Sequence, residues 1–383
     1  MRLYWYWPFL REEDVALVEA TVRPGDELTV QVLDRPGAPR ASTDPARRIV
    51  RDLREVAPFP EGSLRWVASR AATYAERLRR RRALLATLPV DVAHVHFINY
   101  FTDWIDLPLL RRRAPLVVSV HDAVPHHPRL PAWALERALR RIYLSADQLV
   151  VHHSHVGGLL TARFGIHADR ISVVPHWVSP PPAPAGAKFA ATRADHRATV
   201  LFFGTFRRNK GVDVLLEATA RLAHRGDLRV CFAGRGASEV EDRIRRASHR
   251  DPRVTAEIGW VPTARKHELY ARASLVVLPY TDFASQSGVL HDAYSHGVPV
   301  VVTDVGALGQ TVRADGTGWV VPPGDPAALA AAIEMASTAG DQYLHAAAAS
   351  RRQAAARHPR VIGEQFRQVY AEVASRVLPA DGA

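Results

Sequence analysis

Two doubly wound α/β domains joined by a proline-rich connector are the fold class predicted by this 383-residue sequence. Three observations predict it. Short β-branched runs alternate with helical stretches, the runs are apolar on both faces, and PPPAPAG at 180–186 interrupts the pattern near mid-chain. Strands without a polar face are buried on both sides, which implies a parallel sheet covered by helices. Consecutive prolines fix φ and lack amide donors, so this segment suits an extended connector.

The first half offers the runs RLYWYW, ELTVQVL, DVAHVHF, PLVVSVH, DQLVVHHS and ISVVPH. The second half starts afresh with ATVLFFG, LRVCFAG, SLVVLPY, VPVVVTD and GWVVPP. The reading is a first Rossmann-like domain over 1–178, a connector over 179–196 and a second such domain over 197–356. A C-terminal segment, 357–383, contains the helical stretch EQFRQVYAEVASRV.

Composition narrows the function. Hydrophobic residues at 47% and charged residues at 23% are those of a soluble globular protein. No apolar run approaches the roughly 20 residues of a membrane-spanning helix. The N-terminal MRLYWYWPFLREEDV lacks the basic flank of a secretion signal. One cysteine, Cys231, excludes an intrachain disulfide and a cysteine zinc cluster, and a cytoplasmic location is expected. The net charge of +11 is spread over both halves, which disfavours a nucleic-acid-binding domain. Local basic clusters stand at Arg77–Arg82, Arg111–Arg113 and Arg137/Arg140/Arg141. A solvated helix face explains them most simply; a peripheral contact with an anionic membrane, made by the Arg77–Arg82 helix, is the alternative.

In parallel sheets ligands bind beyond the carboxyl ends of the strands. Those ends are Gly204, Gly234, Tyr280 and Thr303–Gly306 in the second half, and His96, His121, His152/His153 and His176 in the first. In FFGTFRRNKGVDVLLEA a strand ends at Gly204, a basic loop follows and Lys210-Gly211 opens a helix. Free N–H groups at that helix start, with Arg207 and Lys210, suit a phosphate. The loop lacks the Lys-Ser/Thr pair of a Walker motif. Further on, Ser285, Gln286, Ser287 and Gly288 feed the next helix, whose Val289 and Asp292 follow directly. Small residues there let a ligand reach backbone amides, and Asp292 can accept two hydrogen bonds from vicinal hydroxyls. Simple capping of the helix by Ser285 or Ser287 is the plainer alternative.

These motifs are similar to those of retaining glycosyltransferases of the GT-B fold, family-four type. The similarity is carried by FFGTFRRNKGVDVLLEA, VPTARKHELYARASLVVLPY, SQSGVLHDAYSHGVPVVVTDVG and DGTGWVVPPGDPAALAAAI, with DVAHVHF, PLVVSVHD, DQLVVHHS and ISVVPH as weaker matches. It spans roughly residues 90 to 335. It implies two Rossmann-like domains facing a central cleft, a final helix crossing back to the first domain, and sugar transfer from a nucleotide donor. Arg207 and Lys210 would grip the donor diphosphate. The loop Ser285–Gly288 with Gly204 and Val289 would hold phosphate and sugar, and Asp292 the ribose. His121 would face the donor sugar, and Trp260-Val261 would contact the base unless Trp260 simply packs. Ala284 stands where the family's first signature glutamate is expected, and a related branch carries Gln-Ser-Gly in this loop.

The strand-end histidines of the first half raise the question of a zinc site, but no HExxH pattern, cysteine partner or DxD pair supports a metal, so no metal ligand and no cofactor are assigned. The expected partners are a nucleotide sugar and an acceptor: a carbohydrate, a lipid-linked sugar or a small natural product. A nucleotide-sugar epimerase of similar fold and a non-catalytic relative are the competing readings.

Overall fold

The computed structural model describes residues 1–41, 44, 46–55, 59, 63–125, 129–181, 198–282, 287–338 and 340–377. The chain divides into two compact units, Met1–His176 with Pro359–Ala383, and Trp177–His358. Most of the connector, 182–197, lies outside the described residues.

The first unit contains a seven-stranded sheet. Its strands are β1 (Arg2–Tyr6), β2 (Glu27–Leu33), β3 (Arg47–Leu53), β4 (Val92–Val95), β5 (Leu116–Val120), β6 (Gln148–Val151) and β7 (Ile171–Val173). They lie in the order β3-β2-β1-β4-β5-β6-β7, and every pairing is parallel. The helices are α1 (Val15–Ala20), α2 (Leu64–Thr87), α3 (Asp103–Arg111), α4 (Ala132–Ser145) and α5 (Ser154–Phe164). The second unit has a six-stranded parallel sheet: β8 (Ala198–Phe206), β9 (Leu228–Gly236), β10 (Val254–Ile258), β11 (Leu275–Leu278), β12 (Val300–Thr303) and β13 (Gly318–Val321), ordered β10-β9-β8-β11-β12-β13. Its helices are α6 (Val212–Arg221), α7 (Ser238–Arg250), α8 (Thr263–Arg272), α9 (Gly288–Ser295), α10 (Leu308–Asp315), α11 (Pro326–Thr338) and α12 (Gly340–Ala356). A final helix, α13 (Pro359–Val377), belongs to the first unit.

The expected doubly wound class is the one found. Each sheet starts in its middle and winds outward both ways, so the strand order reverses beside β1 in one unit and beside β8 in the other. The apolar runs explain this. β4, β5, β6, β11 and β12 are buried along their whole length, as central strands covered on both faces must be. β3 escapes the pattern because RRIVRDL is charged and half-buried, an edge strand whose charges discourage further pairing.

Helix α13 closes the first unit with a buried stripe of Ile362, Phe366, Tyr370 and Val373, spaced as one helical face. Phe366 meets Trp5 edge-on at 5.7 Å, and the Tyr370 hydroxyl lies 2.8 Å from Nδ1 of His94 on β4. Nε2 of His94 meets Ser119 Oγ at 2.8 Å. This buried imidazole is therefore satisfied at both ends, a purely structural histidine.

The Arg77–Arg82 cluster is only in part the solvated face expected of it, because one of its arginines turns inward. Arg81 is fully buried, bonds Asp103 at 2.8 Å and also Asp106, and lies over the Tyr6 ring. Arg82 binds the other oxygen of Asp106 at 2.5 Å, Arg80 pairs with Glu76, and Arg77 donates to the Arg54 carbonyl. Arg81 and Arg82 tie α2 to α3, while Arg79 and Arg82 remain exposed. Sequence periodicity could not separate the one inward arginine from its neighbours.

In the second unit His296 ends α9, with its ring stacked on Tyr270 at 5.1 Å and 3.1 Å from the ring of His267. Burial pushes its pKa down to about 4, with the backbone of Asp292 opposing and the charges of His267 and Lys266 assisting.

Two predictions follow from these buried groups. Arg81→Ala leaves buried Asp103 without its ion pair and Asp106 with Arg82 alone, and is expected to cost about 3–5 kcal/mol in urea unfolding; a loss below about 1 kcal/mol would mean the pair behaves as a surface bridge. The second concerns pH. The unfolded chain protonates His296 near the ordinary value of about 6.5, whereas the folded protein resists until about 4. Between those values the unfolded state binds more protons. Stability is therefore expected to fall as pH drops from about 6.5, by up to about 1.4 kcal/mol per pH unit from this group. Urea midpoints of wild type and His296→Gln across that window check it: the variant's profile should be flatter, and parallel profiles would contradict the assignment.

Candidate active site

The site lies in the second unit, where the strand order reverses between β8 and β11. Loops leaving these strands diverge to opposite sides and leave a crevice at their carboxyl ends. Phe202, Phe203, Gly204, Thr205, Lys210, Tyr280, Ser287, Gly288, Val289 and Asp292 line a cavity of about 290 Å³ there. Six of these were expected from sequence: Gly204, Lys210, Ser287, Gly288, Val289 and Asp292.

Close backbone approach shapes the crevice. Gly234 on β9 pairs with Gly204 on β8, and a Cβ at Gly234 would stand 1.8 Å from the Gly204 carbonyl oxygen. The basic loop follows as a short turn, Arg208–Lys210, ended by Gly211 at φ 68. A Cβ on Gly211 would meet the Pro279 carbonyl oxygen at 1.7 Å, so only glycine lets this loop close on the end of β11. Asn209 secures it: its carbonyl accepts from Thr281 N at 3.0 Å and its Nδ2 donates to the Asp282 carbonyl at 3.1 Å.

That closure aims the Lys210 ammonium at the Tyr280 ring, 3.6 Å from its centroid. Tyr280 is a platform that sequence reasoning marked only as a strand end. Its hydroxyl meets Ser287 Oγ at 2.9 Å, and its carbonyl accepts from Thr303 Oγ1 at 2.5 Å. Burial pushes the phenol up to about 12, against the Ser287 hydrogen bond, so it stays neutral. Ser287 thus spends its side chain on Tyr280 and makes no side-chain cap for α9, which removes the capping alternative for Ser287. The first amides of α9 and its dipole face the cavity from Gly288 onward.

Asp292, one turn into α9, forms an ion pair with Lys266 of α8, Nζ to Oδ1 at 3.2 Å. Lys266 is buried and was missed. The signal was present: Lys266, Leu269 and Tyr270 fall on one helical stripe, which places a lysine on the inward face. Trp260 does not pack in the core. It is 76% exposed, with the Arg235 guanidinium 5.2 Å over its ring. Neither Trp260 nor the half-buried Val261 lines the cavity. Arg207 is exposed just before the turn, also outside the lining, with no ion-pair partner among the described residues. Ala284, Ser285 and Gln286 lie outside the described residues. His121 belongs to the first unit, at the end of β5. It stacks on Phe97 at 4.3 Å and donates from Nε2 to the His96 carbonyl at 3.0 Å. Burial, reinforced by His152 and His176, holds its pKa well below the ordinary range.

Comparison with known proteins agrees with this geometry. A model of "Glycosyl transferases group 1" matches residues 197–338, and one of "Glycosyltransferase Family 4" matches residues 15–180. Glycogen synthase of Mycobacterium tuberculosis is 27% identical over 306 residues, covering 76% of this chain and 69% of the relative. Among solved structures, sucrose-phosphate synthase of Thermosynechococcus elongatus superposes with a TM-score of 0.77 at 18% identity, over 98% of this chain and 100% of that one. Anabaena HepE in complex with UDP-glucose gives 0.67 at 15% identity, over 97% of this chain and 100% of that one. The structural likenesses show the fold; the sequence matches are to glycosyltransferases, which favours a transferase over the epimerase reading. The two models, one in each half, together span most of the chain and support a group 1, family-4 glycosyltransferase.

Proposed function

We propose that this enzyme moves a sugar from a nucleoside diphosphate donor to an acceptor hydroxyl, with retention at the anomeric carbon and no metal ion on the diphosphate. The observation that carries the donor assignment is the convergence of Lys210, the start of α9 and Asp292 on one cavity at the strand-order reversal. When the bond from the anomeric carbon to the β-phosphate oxygen breaks, negative charge builds on that oxygen. Lys210, with Arg207 and the α9 amides, supplies fixed positive potential where it builds. Tyr280 holds Lys210 in place, and Lys266 holds the Asp292 carboxylate that would accept from the ribose hydroxyls. Trp260 with Arg235 offers a flat exposed surface for a base, and His121 is the first unit's group for orienting the sugar. Retention and metal independence rest on the family resemblance.

The experiment is a thermal-shift panel of UDP, GDP, ADP and dTDP on wild type and on the Arg207→Ala/Lys210→Ala double variant. A ligand that binds only the native state raises its apparent stability, by about 2.7 kcal/mol at a hundredfold excess over Kd. One diphosphate, UDP first in view of the HepE complex, should stabilise wild type and not the double variant. Stabilisation by none of the four, or equal stabilisation of both proteins, would count against the site.

The acceptor is a carbohydrate, a lipid-linked sugar or a small natural product, and a lipid acceptor would bring the enzyme to a membrane. No helix among the described residues is long and apolar enough to cross one. With Arg81 spent internally, the surface that supports peripheral contact is the groove between α3 and α4, about 740 Å³, lined by Arg111, Arg112, Arg137, Arg140 and Arg141. Exposed Trp104, Leu109 and Leu144 stand on the same helices. Basic and apolar groups together favour an anionic interface. Sedimentation with phosphatidylglycerol vesicles at low salt should pellet wild type and leave Arg137→Glu/Arg140→Glu in the supernatant; equal pelleting of both would refute this surface.

A further inference from the structure

Four successive strands of the first unit, β4 to β7, run into a histidine at or just past their carboxyl ends: His96, His121, His152 and His176. Parallel alignment brings those ends together. One ring nitrogen from each of His96, His121 and His152 lies within 4.8 Å of the other two. The His176 ring is 5.4 Å from that of His152, centroid to centroid.

The hydrogen bonds around this group fix its protons. His121 Nε2 lies 3.0 Å from the His96 carbonyl, and His152 Nδ1 lies 2.9 Å from the Val174 carbonyl. A carbonyl oxygen can only accept, so each of those nitrogens carries the proton. The lone pair is then on Nδ1 of His121 and on Nε2 of His152. Donation of one ring N–H to a backbone carbonyl is the arrangement that sets the tautomer of a metal-binding histidine and raises its basicity. His94, two residues before His96, shows the contrasting case, with both nitrogens bonded to hydroxyl groups.

We propose that His96, His121 and His152 form a binding site for one divalent transition-metal ion of the zinc or cobalt type, with His176 placed to add a fourth imidazole. An all-imidazole set suits zinc, cobalt, nickel or copper and disfavours magnesium and calcium, which prefer oxygen. Zinc–nitrogen bonds of about 2.0–2.1 Å place tetrahedral ligand atoms about 3.4 Å apart, so the rings must draw together slightly on binding. A consequence concerns His121. With Nε2 donating to the His96 carbonyl and Nδ1 on the ion, it has no nitrogen left for a donor sugar. Metal occupancy and the sugar-orienting role proposed above therefore exclude one another. The ion would not take part in transfer; it would hold His121 out of it.

The test does not use turnover, so its failure and that of the donor reading are distinguishable. Protein stripped with EDTA and dialysed is titrated with Co²⁺ while the visible ligand-field band is followed. The expected result is a band saturating at one equivalent, abolished in His152→Gln and retained in His267→Gln, which removes the histidine pair of the other unit. No saturable band in wild type, persistence in His152→Gln or loss in His267→Gln would overturn the site. Zinc-edge X-ray absorption of loaded wild type provides a second readout that does not depend on the folding of His152→Gln. Three or four imidazole ligands support the site, and a shell dominated by oxygen overturns it.

Discussion

The fold's central constraint is the reversal of strand order beside the first strand of each parallel sheet. Crossovers leave β8 in one direction and β11 in the other, so no connection covers the gap between their carboxyl ends. Everything at the candidate donor site depends on that gap. Gly234 lies against the Gly204 carbonyl and Gly211 against the Pro279 carbonyl, each at a distance that excludes a Cβ. Two strand ends and one loop are thereby drawn close enough for Lys210, Tyr280 and α9 to share one small cavity.

Charge is used in two distinct ways. Within the first unit, Arg81 is buried between Asp103 and Asp106 and joins helices, a role that requires both partners to be present. At the donor cavity, Lys210 stands in the wall over Tyr280, and buried Lys266 pairs with the lining Asp292 from behind it. A departing diphosphate would meet potential already fixed in place, with little reorganisation as its charge develops.

Strands were the most legible feature of the sequence, because a run apolar on both faces states its own burial; their ends were less exact, since β8 and β9 run two residues past Gly204 and Gly234. Gly204, Lys210, Ser287, Gly288, Val289 and Asp292 could be picked out by position alone, since a parallel sheet brings its carboxyl ends to one edge. Features that depend on side-chain direction were less legible. Arg81 looks like Arg79, Arg80 and Arg82 until the rotation of α2 is known, and β3 hides as a charged, half-buried edge. Lys266 carried a signal in its helical register with Leu269 and Tyr270, while the Arg235–Trp260 stack joins the end of β9 to the loop after β10, which no local pattern relates. The histidines that end β4 to β7 were visible one by one, and only the parallel alignment made them a cluster.

The account rests most heavily on a diphosphate being held by the start of α9 and Lys210. A crystal structure of the enzyme with the stabilising nucleoside diphosphate tests this most directly. The account predicts the β-phosphate within hydrogen-bonding distance of the Gly288 or Val289 amide and of Lys210 Nζ, with the ribose hydroxyls on Asp292. Phosphates bound elsewhere in the protein, with Lys210 still over Tyr280 and Asp292 remote from the ribose, would contradict it.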